Sequence, residues 1–463
     1  MAEQFDVVVV GGGPGGYAAA LYAAGAGLSV ALVEKDKVGG TCLHRGCIPA
    51  KEFLETASVF RTVAGAREFG VQAEQPAVDF SVSQQRKQKV VNQLWKGLQG
   101  LLKRRKVTMV AGTGRLTPNR HVRVSDGTEI VGRHVVLATG SVPRSIPGFD
   151  VDGRTVVTSD ELLSIDRLPE SAAVIGGGAI GCEFASLLSD LGVKVTVLEA
   201  LPKLLPGCDS DVVDVVARSF DKRGIDVRLG VEVTGHTPAG EGGTTVAFGD
   251  GEQVRVEMVI VAVGRRPLSE EVVAEGTAVE LDDRGFVRVD EYGRTGEAGV
   301  YAVGDVVATP QLAHVGFAEA IVAVKDILGE APAPVDHARV PWCIYTYPEV
   351  AFAGMSEQAA RDAGIDVVAK KDAFAGNGRA LILGEPEGLV KVIAERGADG
   401  TAGRILGIHM VGPWVTEQLG QAYLALNWEA TPAEVAHYIQ PHPTLSEVFG
   451  ETVMALTGRG LHL

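Results

Sequence analysis

The sequence predicts an α/β protein in which two Rossmann-like dinucleotide-binding domains precede a C-terminal domain of mixed strands and helices. Two observations predict this fold class. An apolar run leads into a glycine-rich turn twice, and each turn is followed by a helical stretch, a second apolar run and an acidic residue. From about Arg339 onward, these glycine-rich turns no longer occur. The chain of 463 residues can form about three domains, at roughly 150 residues each.

The first dinucleotide signal begins near the N-terminus. Phe5–Val10 is a continuous apolar run, typical of a buried strand. It leads into a Gly-x-Gly-x-x-Gly pattern formed by Gly11, Gly13 and Gly16. A helical stretch follows, and a second strand over residues 29–33 ends at Glu34. The glycines let the backbone approach a pyrophosphate at the helix N-terminus, and the acid can accept hydrogen bonds from a ribose.

The same signal returns later in the chain. The strand at residues 172–175 leads into a second pattern, formed by Gly176, Gly178 and Gly181. The strand at residues 193–198 then ends at Glu199. Because 176 − 11 and 199 − 34 both equal 165, two coincidental glycine turns would also need their acids at equal spacing. We predict a second nucleotide site, and Glu199, with no Arg close behind it, favours NAD over NADP because a carboxylate repels a 2′-phosphate.

Two cysteines lie close together immediately after the second strand of the first domain. Cys42 and Cys47 are flanked by glycines, and Lys51 follows one helical turn later. Five cysteines in 463 residues do not form a secreted disulfide framework, so a close pair in a reducing compartment is more typical of redox catalysis. If the sulfurs meet, the first dinucleotide is their nearest electron partner. A flavin therefore suits the first site, and a nicotinamide nucleotide suits the second.

The remaining pattern places further elements around these sites. Residues 59–105 are mostly helical in pattern, and residues 107–123 alternate as strands around a turn at 117–119. Apolar strands at 134–138, 258–263 and 300–303 each end in small or acidic residues, namely Thr139, Gly140 and Ser141, then Gly264, then Asp305. Such strand ends border the ligand in a doubly wound sheet. Asp305 is either a turn residue or an acceptor for flavin ribityl hydroxyls.

Charge and composition exclude several classes of partner. The net charge of −15 argues against binding to nucleic acid or to anionic lipid. The longest apolar runs are too short to cross a bilayer. The N-terminus leads directly into a strand, without a basic start or a cleavable apolar segment. We therefore expect a cytoplasmic protein.

A histidine near the C-terminus is the candidate acid–base residue. His442 lies between two prolines, which stiffen its backbone, and Glu447 follows five residues later, where it could orient the ring. Alone, such a histidine is more typical of a structural role. Beside a cysteine pair that needs a base, the catalytic interpretation is favoured.

These residues resemble the flavin-dependent pyridine nucleotide–disulfide oxidoreductases, and within that family the dihydrolipoamide dehydrogenases. The resemblance covers essentially the whole chain and rests on Gly40–Lys51, Tyr301–Asp305, Gln311–His314 and His442–Glu447. It implies an FAD-binding domain over residues 1–146, an NAD-binding domain over 147–267, a central segment over 268–336 that completes the FAD domain, and a dimer-interface domain over 337–463. It also implies an obligate homodimer, in which the His–Glu pair of one subunit completes the active site of the other.

The resemblance also implies residue roles. Cys42 meets the substrate and Cys47 faces the flavin, while Lys51 near the flavin pairs with Glu183; His442 is the acid–base, oriented by Glu447. The FAD-contacting positions are Gly11, Gly13, Gly16, Glu34, Lys51, Gly114, Thr139, Gly140, Ser141, Asp305, Gln311, Leu312, Ala313 and His314. The NAD-contacting positions are Gly176, Gly178, Gly181, Glu199, Val233 and Gly264. No metal-ligand spacing surrounds the other cysteines, so we expect no metal.

The activity implied is NAD-dependent oxidation of dihydrolipoamide, carried on the lipoyl domain of a 2-oxo-acid dehydrogenase or glycine-cleavage complex. Three alternatives stay open at this point. A glutathione-reductase-like enzyme would want an Arg near the second glycine turn for NADPH. A mercuric reductase would typically carry extra C-terminal cysteines. A redox-silent structural flavoprotein would have lost a cysteine or the base.

Two positions depart from the family pattern. Gln440 stands where the family often has a His, and His44 and Arg45 stand where many relatives have an Asn and a small apolar residue. We expect His44 and Arg45 to place positive charge beside the sulfurs, which would favour a thiolate.

Overall fold

The computed structural model describes residues 3–240, 242–398 and 400–462, and its N-terminal unit is a sheet flanked by helices. The strands of this unit are β1 (Glu3–Val10), β2 (Val30–Glu34), β3 (Thr108–Ala111), β4 (Gly114–Thr117), β5 (His121–Val124), β6 (Glu129–Leu137) and β7 (Ser141–Pro143). Its helices are α1 (Pro14–Gly25), α2 (Gly40–Arg45), α3 (Cys47–Gly65) and α4 (Phe80–Arg104). The strand order is β3-β2-β1-β6-β5-β4, with β1, β2, β3 and β6 parallel and β4 and β5 antiparallel. β1 therefore lies at the centre, and its end presents the first glycine turn.

The second unit repeats this plan. Its strands are β8 (Val156–Val157), β9 (Ser171–Ile175), β10 (Lys194–Glu199), β11 (Asp226–Leu229), β12 (Val233–Ala239), β13 (Gly243–Phe248), β14 (Glu252–Val256), β15 (Met258–Val261) and β16 (Arg265–Pro267). Its helices are α5 (Ser159–Leu162), α6 (Ala179–Asp190) and α7 (Ser210–Lys222). The order β11-β10-β9-β15-β8 is parallel throughout, while β12, β13 and β14 form a separate antiparallel sheet. The two glycine turns thus follow equivalent strands, β1 and β9.

The chain returns from the second unit to the first through two pairings. Strand β16 pairs with β7 in antiparallel register, which places Pro267 opposite Ser141. Strand β17 (Val300–Ala302) then pairs with β6, and helix α8 (Ala313–Ile327) packs on α1. The α1–α8 packing is close because both helices have a glycine at the crossing: a Cβ at Gly15 would lie 3.5 Å from the carbonyl oxygen of Gly316.

The C-terminal unit is an antiparallel sheet covered by helices. Its strands are β18 (Trp342–Ile344), β19 (Glu349–Gly354), β20 (Val367–Ala373), β21 (Leu389–Arg396) and β22 (Ala402–Gly412), in the order β18-β19-β22-β21-β20. Its helices are α9 (Glu357–Asp362), α10 (Gly378–Leu383), α11 (Val415–Asn427), α12 (Pro432–Val435) and α13 (Glu447–Leu456). Helices α11 and α13 pack on the sheet through Leu419, Phe449 and Val453. The two dinucleotide-type units followed by a mixed domain confirm the predicted fold class.

One hydrophobic cluster joins the three units beside the cysteines. It combines Phe53 of α3 with Phe184 of α6 and with Ile344 and Phe352 of the C-terminal unit. All four side chains are at least nine-tenths buried. Burying a side chain of this size contributes about 1.5–3 kcal/mol. The helix that carries Cys47 is therefore fixed against both of the other units.

The helix predicted over residues 59–105 is interrupted in the structure. Helix α3 ends at Gly65, a 3₁₀ turn covers Ala66–Phe69, and α4 begins only at Phe80. Gly70, with φ of +75°, adopts the left-handed conformation that ends the turn. Asp79 caps α4 by accepting a hydrogen bond of 3.0 Å from the Ser81 N–H. Further 3₁₀ turns lie at Pro118–Arg120, Gly304–Val306, His337–Arg339 and Phe374–Gly376.

Within the described ranges, no helix has both the length and the apolar character needed to cross a bilayer. Helix α4 is long enough at 25 residues, but its sequence is largely polar.

Candidate active site

Cys42 and Cys47 lie on two consecutive helices. Cys42 is in the short helix α2, and Cys47 is the first residue of α3. Gly46 separates them with φ of −145° and ψ of −114°, so the chain turns sharply between the helices. Both cysteines are free thiols, and their side chains are joined by a hydrogen bond. Cys42 is half-buried and Cys47 is exposed.

The two thiols differ in acidity. The hydrogen bond from Cys42 lowers the pKa of Cys47 to about 7; desolvation opposes this change, and the charge of Lys51 adds to it. The same hydrogen bond, together with burial, raises the pKa of Cys42. Because a thiolate is the reactive form of cysteine, Cys47 carries the negative charge of the reduced pair near neutral pH.

Lys51 is fixed by a buried carboxylate. Its Nζ lies 2.9 and 2.8 Å from the two carboxylate oxygens of Glu183 on α6. The Tyr345 N–H donates to Glu183 Oε1 at 2.9 Å, and Lys51 Nζ lies 5.0 Å from the centre of the Tyr345 ring. Burial lowers the pKa of Lys51, but the charge and the hydrogen bonds of Glu183, together with the charge of Cys47, more than offset this, so the net pKa is raised. The ammonium group next to Cys47 is therefore permanently charged at neutral pH.

The positive charges between the cysteines are directed elsewhere. Arg45 Nη1 pairs with Asp36 at 3.1 Å, and Arg45 Nε lies 4.0 Å from Asp160 of the second unit. The His44 ring contacts the Val38 carbonyl at 2.9 Å and the edge of Trp95. The expectation that His44 and Arg45 favour the thiolate stays a prediction. The cation whose charge lowers the pKa of Cys47 is Lys51.

The two glycine turns have the same geometry. Gly11 and Gly176 have φ values of +102° and +109°, and a Cβ at either would overlap the carbonyl oxygen of the neighbouring strand end. Gly12 N–H donates to Glu34 at 2.6 Å, and Gly177 N–H donates to Glu199 in the same way. A carboxylate has about four acceptor positions, so each acid keeps capacity for a ribose hydroxyl.

The middle glycine of each turn fits a dinucleotide. A Cβ at Gly178 would meet no protein atom within 4 Å, and a Cβ at Gly13 would meet only the Gly40 Cα at 4.0 Å. Packing of the chain therefore does not require glycine at either position. Both residues immediately precede a helix, α1 or α6, whose N-terminal N–H groups favour a phosphate. A pyrophosphate in contact with the backbone gives a reason for glycine at both positions.

A second group of polar residues lies after the ends of β6 and β17 and at the start of β7. Ser141 Oγ donates to Asp305 at 2.6 Å, and Thr139 Oγ1 donates to the Leu268 carbonyl at 2.6 Å. Burial raises the pKa of Asp305. The side-chain nitrogen of Gln311 is buried without a hydrogen-bond partner, which is expensive unless a ligand supplies an acceptor. These groups fit the polar ribityl and flavin edges of FAD.

The other predicted contact positions lie around these two sites. Leu312 and Ala313 form the N-terminus of α8, and the nearby His314 contacts the Pro341 carbonyl at 2.8 Å. Gly114 is enclosed by β1, β2 and β5, where a Cβ would lie 3.0 Å from methyl groups of Val10 and Val33. Gly140 and Gly264 have positive φ, and Val233 begins β12. Gly16 and Gly181 each pack against the first glycine of their own turn.

His442 and Glu447 form a pair that lies apart from the cysteines. His442 Nδ1 lies 2.8 Å from Glu447 Oε1, and Thr444 N–H donates to Glu447 Oε2 at 2.7 Å. The His442 side chain is 79% exposed. Within the described chain, no hydrogen bond, ion pair or ring contact joins it to Cys42 or Cys47. The Gln440 amide packs over Gly450 with both of its polar atoms buried and unpaired.

Comparison with protein-family models identifies the family to which a chain with this arrangement of residues belongs. The family model described as pyridine nucleotide-disulphide oxidoreductase matches residues 5–320. The model described as the dimerisation domain of that family matches residues 340–453. The chain belongs to the pyridine nucleotide-disulphide oxidoreductase family.

Curated relatives and solved structures agree with this oxidoreductase family over the full length. The dihydrolipoyl dehydrogenases of Bacillus subtilis and Haloferax volcanii are 42% and 39% identical, covering 100% of this chain and 100% and 98% of their own. The crystal structure of LpdA from Mycobacterium tuberculosis has a TM-score of 0.91 at 26% identity, covering 98% of this chain and 100% of its own. A flavoprotein disulfide reductase of Escherichia coli, RclA, has a TM-score of 0.86 at 27% identity, covering 97% and 99%.

Three further side chains of this oxidoreductase belong to the site, although the sequence analysis gave them no role. Burial raises the pKa of Tyr17 to about 12, and the charges of Cys42 and Cys47 add to this. Arg265 donates to Ser141 Oγ at 2.7 Å. Glu319 accepts from the Gly304 N–H at 2.7 Å and contacts His337 at 2.9 Å. The adjacency of Tyr17 to Gly16 and of Arg265 to Gly264 was the available sequence signal.

Proposed function

We propose that the chain is a dihydrolipoyl dehydrogenase, which oxidises dihydrolipoamide at the Cys42–Cys47 pair and transfers two electrons through FAD to NAD⁺. One observation carries the proposal: the two thiols share a hydrogen bond, differ in acidity, and lie beside the Lys51 ammonium at the edge of the first dinucleotide site. The similarity to dihydrolipoyl dehydrogenases over the whole chain supports the same activity.

Each cofactor has a set of residues to hold it. FAD fits the first glycine turn, Glu34, Asp305 and Gln311, and NAD fits the second glycine turn and Glu199. When bound, FAD supplies two-electron transfer between the dithiol and the nicotinamide. The chain contributes placement: the backbone at Gly13 and Gly178 leaves room for the two diphosphates.

The first steps of the reaction use the side chains described above. One substrate thiol loses its proton to His442, and its sulfur bonds to Cys42 while the Cys42–Cys47 bond breaks. Cys47 leaves as a thiolate, which its lowered pKa and the Lys51 charge stabilise. The second substrate thiol then attacks the first substrate sulfur, so that a cyclic disulfide forms, and Cys42 is released as a thiol that takes up the proton of this second substrate thiol.

The histidine has one ring nitrogen available for this proton. Nδ1 faces Glu447 at 2.8 Å, so Nε2 is the free position. Glu447 fixes the ring orientation and stabilises the imidazolium that forms, as expected for the orienting acid of a general base.

A homodimer supplies the histidine to the cysteines of the other subunit in this proposal. The dimerisation-domain match supports association of two chains. Large apolar side chains close in sequence to His442 are exposed, including Tyr438 at 61% and Ile439 at 87%. Exposed apolar side chains of this size favour burial against a second surface. The domain ranges 1–146, 147–267, 268–336 and 337–463 belong to the same proposal.

The carrier of the substrate and the compartment of the enzyme are also part of the proposal. Dihydrolipoamide would arrive on the lipoyl domain of a 2-oxo-acid dehydrogenase or glycine-cleavage complex, in the cytoplasm. The low cysteine content, five in 463 residues, supports a reducing compartment.

The decisive experiment follows NADH formation from dihydrolipoamide and NAD⁺ with the purified FAD-loaded protein. We expect turnover in the wild type and none in C42S or C47S, because each lacks one half of the disulfide. Faster turnover with glutathione disulfide and NADPH would overturn the proposal. Retention of FAD in both variants would show that the loss is chemical and not structural.

A further inference from the structure

Asp305 is approached by an arginine that enters from the second unit. Arg265, on β16, donates from Nε to Ser141 Oγ at 2.7 Å and from Nη2 to the Ser141 carbonyl at 2.9 Å. Its Nε also lies 3.9 Å from Asp305 Oδ2, and its side chain is 12% exposed. Ser141 itself is buried. In the antiparallel pairing of β16 with β7, Arg265 lies opposite Pro143, two residues from Ser141 on the same strand.

The chemistry of these groups fixes the direction of one proton. A guanidinium has only donors, so Ser141 Oγ must accept from Arg265. The single hydroxyl hydrogen of Ser141 is then free to point to Asp305 Oδ2, 2.6 Å away. A hydroxyl that donates to a carboxylate favours its ionised form. Arg265 therefore acts on Asp305 twice, through its charge and through the orientation of Ser141.

We infer that Arg265 is a positioning residue for FAD, which keeps Asp305 ionised and oriented to accept hydrogen bonds from the ribityl hydroxyls. The inference deepens the proposed function and rests on it in one respect, namely that FAD occupies the first dinucleotide site. Because β16 lies between the second unit and the first, the same contact makes retention of FAD depend on the position of the nucleotide-binding unit.

Opposing effects act on the pKa of Asp305, so the loss of Arg265 is expected to change this pKa substantially. Burial raises the pKa of Asp305, the Ser141 hydrogen bond and the Arg265 charge lower it, and the charge of Glu319 on α8 raises it. Cys42 on α2 also faces Asp305. The charge of Arg265 also lowers the pKa of Asp160 on α5. The charge of Arg45, whose Nε lies 4.0 Å from Asp160, lowers that pKa as well. Without Arg265, the factors that remain at Asp305 are burial and like charges, opposed by one hydroxyl.

The direction of the pH dependence follows from these causes. Binding that needs an ionised Asp305 is complete above the pKa of this carboxyl and is lost as pH falls through it. Removing the arginine raises that pKa further, so FAD is lost at a higher pH. A nearby opposite charge changes a carboxyl pKa by about one to three pH units. We expect an increase of about one, since the closest approach of the two charged groups is 3.9 Å.

The test measures release of FAD from the purified FAD-loaded enzyme as a function of pH, by the increase in flavin fluorescence. The variants are R265Q and R265K, with R266Q as the matched control, because Arg266 is the next residue on β16, carries the same charge and is exposed. We expect the midpoint of release to rise by about one pH unit in R265Q. R265K should rise less, because it keeps the charge but not the two-pronged contact. R266Q should match the wild type.

Each outcome decides the inference. Equal midpoints in wild type and R265Q overturn it, and so does an equal rise in R266Q. If R265Q does not fold, R265K carries the test, and an unchanged midpoint in R265K together with unchanged flavin absorbance overturns it. A wild type that binds no FAD would instead reject the proposed function, so the two failures are distinguishable.

Discussion

The reactivity of Cys47 depends on neighbours from separate parts of the chain. Cys42 donates a hydrogen bond to it from α2, and Lys51 brings a cation that Glu183 fixes from the second unit. Since only a thiolate attacks or leaves readily, these neighbours determine how much of the reduced enzyme is reactive at neutral pH.

Removing the cation is expected to make Cys47 less reactive. In K51M, the pKa of Cys47 rises from about 7 toward its ordinary value, because the attraction of the ammonium is lost. We expect the rate of alkylation of Cys47 by iodoacetamide at pH near 7 to fall by about fivefold, measured by mass spectrometry of the reduced protein. K51R keeps a cation opposite Glu183 and is the control. Equal rates in wild type and K51M would contradict the role of Lys51.

Loss of the base is expected to stop thiol oxidation while sparing the flavin. H442A should reduce the rate of dihydrolipoamide oxidation by about two to four decades, the usual effect of losing a general base. FAD content and NADH oxidation by an artificial electron acceptor should stay unchanged, since neither needs the histidine. Turnover of dihydrolipoamide at the wild-type rate would exclude His442 as the base.

Sequence patterns identified residues better than they identified contacts. The glycines, Cys42, Cys47 and Asp305 stand in recognisable local patterns. Arg45 does not, because its direction depends on Asp36 at 3.1 Å and on Asp160 at 4.0 Å, and Asp160 lies 115 residues away in the second unit. The importance of Arg265 is hidden for the same reason, since its partner Ser141 belongs to another strand.

At the level of elements, each glycine turn combines one glycine needed by the fold with one needed by the ligand. Gly176 has φ of +109° and abuts the end of β15, whereas Gly178 has open space around its Cα. Equivalent substitutions two residues apart should therefore fail in different ways.

We expect G178A to keep the fold and lose the nicotinamide nucleotide. Its KM for NAD⁺ should rise at least about tenfold, because a methyl group obstructs the approach of the diphosphate, and its Tm and FAD content should match the wild type. G176A should instead lose roughly 1–3 kcal/mol of unfolding free energy, from a strained backbone and an overlap with Ala262. A lowered Tm in G178A with an unchanged KM would reverse the assignment.

Element boundaries were predicted well where the hydrophobic periodicity and the turn residues indicated the same boundary. The strands β1, β2, β9 and β10 lie within one or two residues of their apolar runs. The helical interpretation of residues 59–105 was wrong at residues 70–79, because Gly70 and the Asp79 cap override a continuous helical pattern. The cysteine stretch forms two consecutive helices, since Gly46 turns the chain between them.

At the scale of the whole molecule, no contact given for His442 joins it to the cysteines of its own described chain. The question is therefore which chain supplies the histidine. No pattern in a single sequence can show a contact between two copies. The exposed His442 and the dimerisation-domain match support supply from the partner subunit.

Mixed dimers can test this arrangement. Co-expression of C42S and H442A chains with different tags gives a heterodimer in which neither chain has a complete set of groups. If the base acts across the interface, one site combines the intact Cys42 of one chain with the intact His442 of the other. We expect about half of the wild-type rate from the isolated heterodimer, with each variant homodimer as control. A heterodimer as inactive as the two homodimers would place the base within its own chain.

The offset of 165 residues between the two glycine turns bears on the ancestry of the chain. The equivalent hydrogen bonds of Gly12 with Glu34 and Gly177 with Glu199 are best explained by duplication of one ancestral nucleotide-binding module. The positions at which the copies now differ mark their specialisation. Tyr17, whose pKa the charges of the cysteines raise, corresponds to the buried Cys182, and Gly15, which packs on α8, corresponds to Ile180. The two turns therefore share one nucleotide-binding geometry, and they differ at positions where the first turn also meets the charge of the cysteines and the surface of α8.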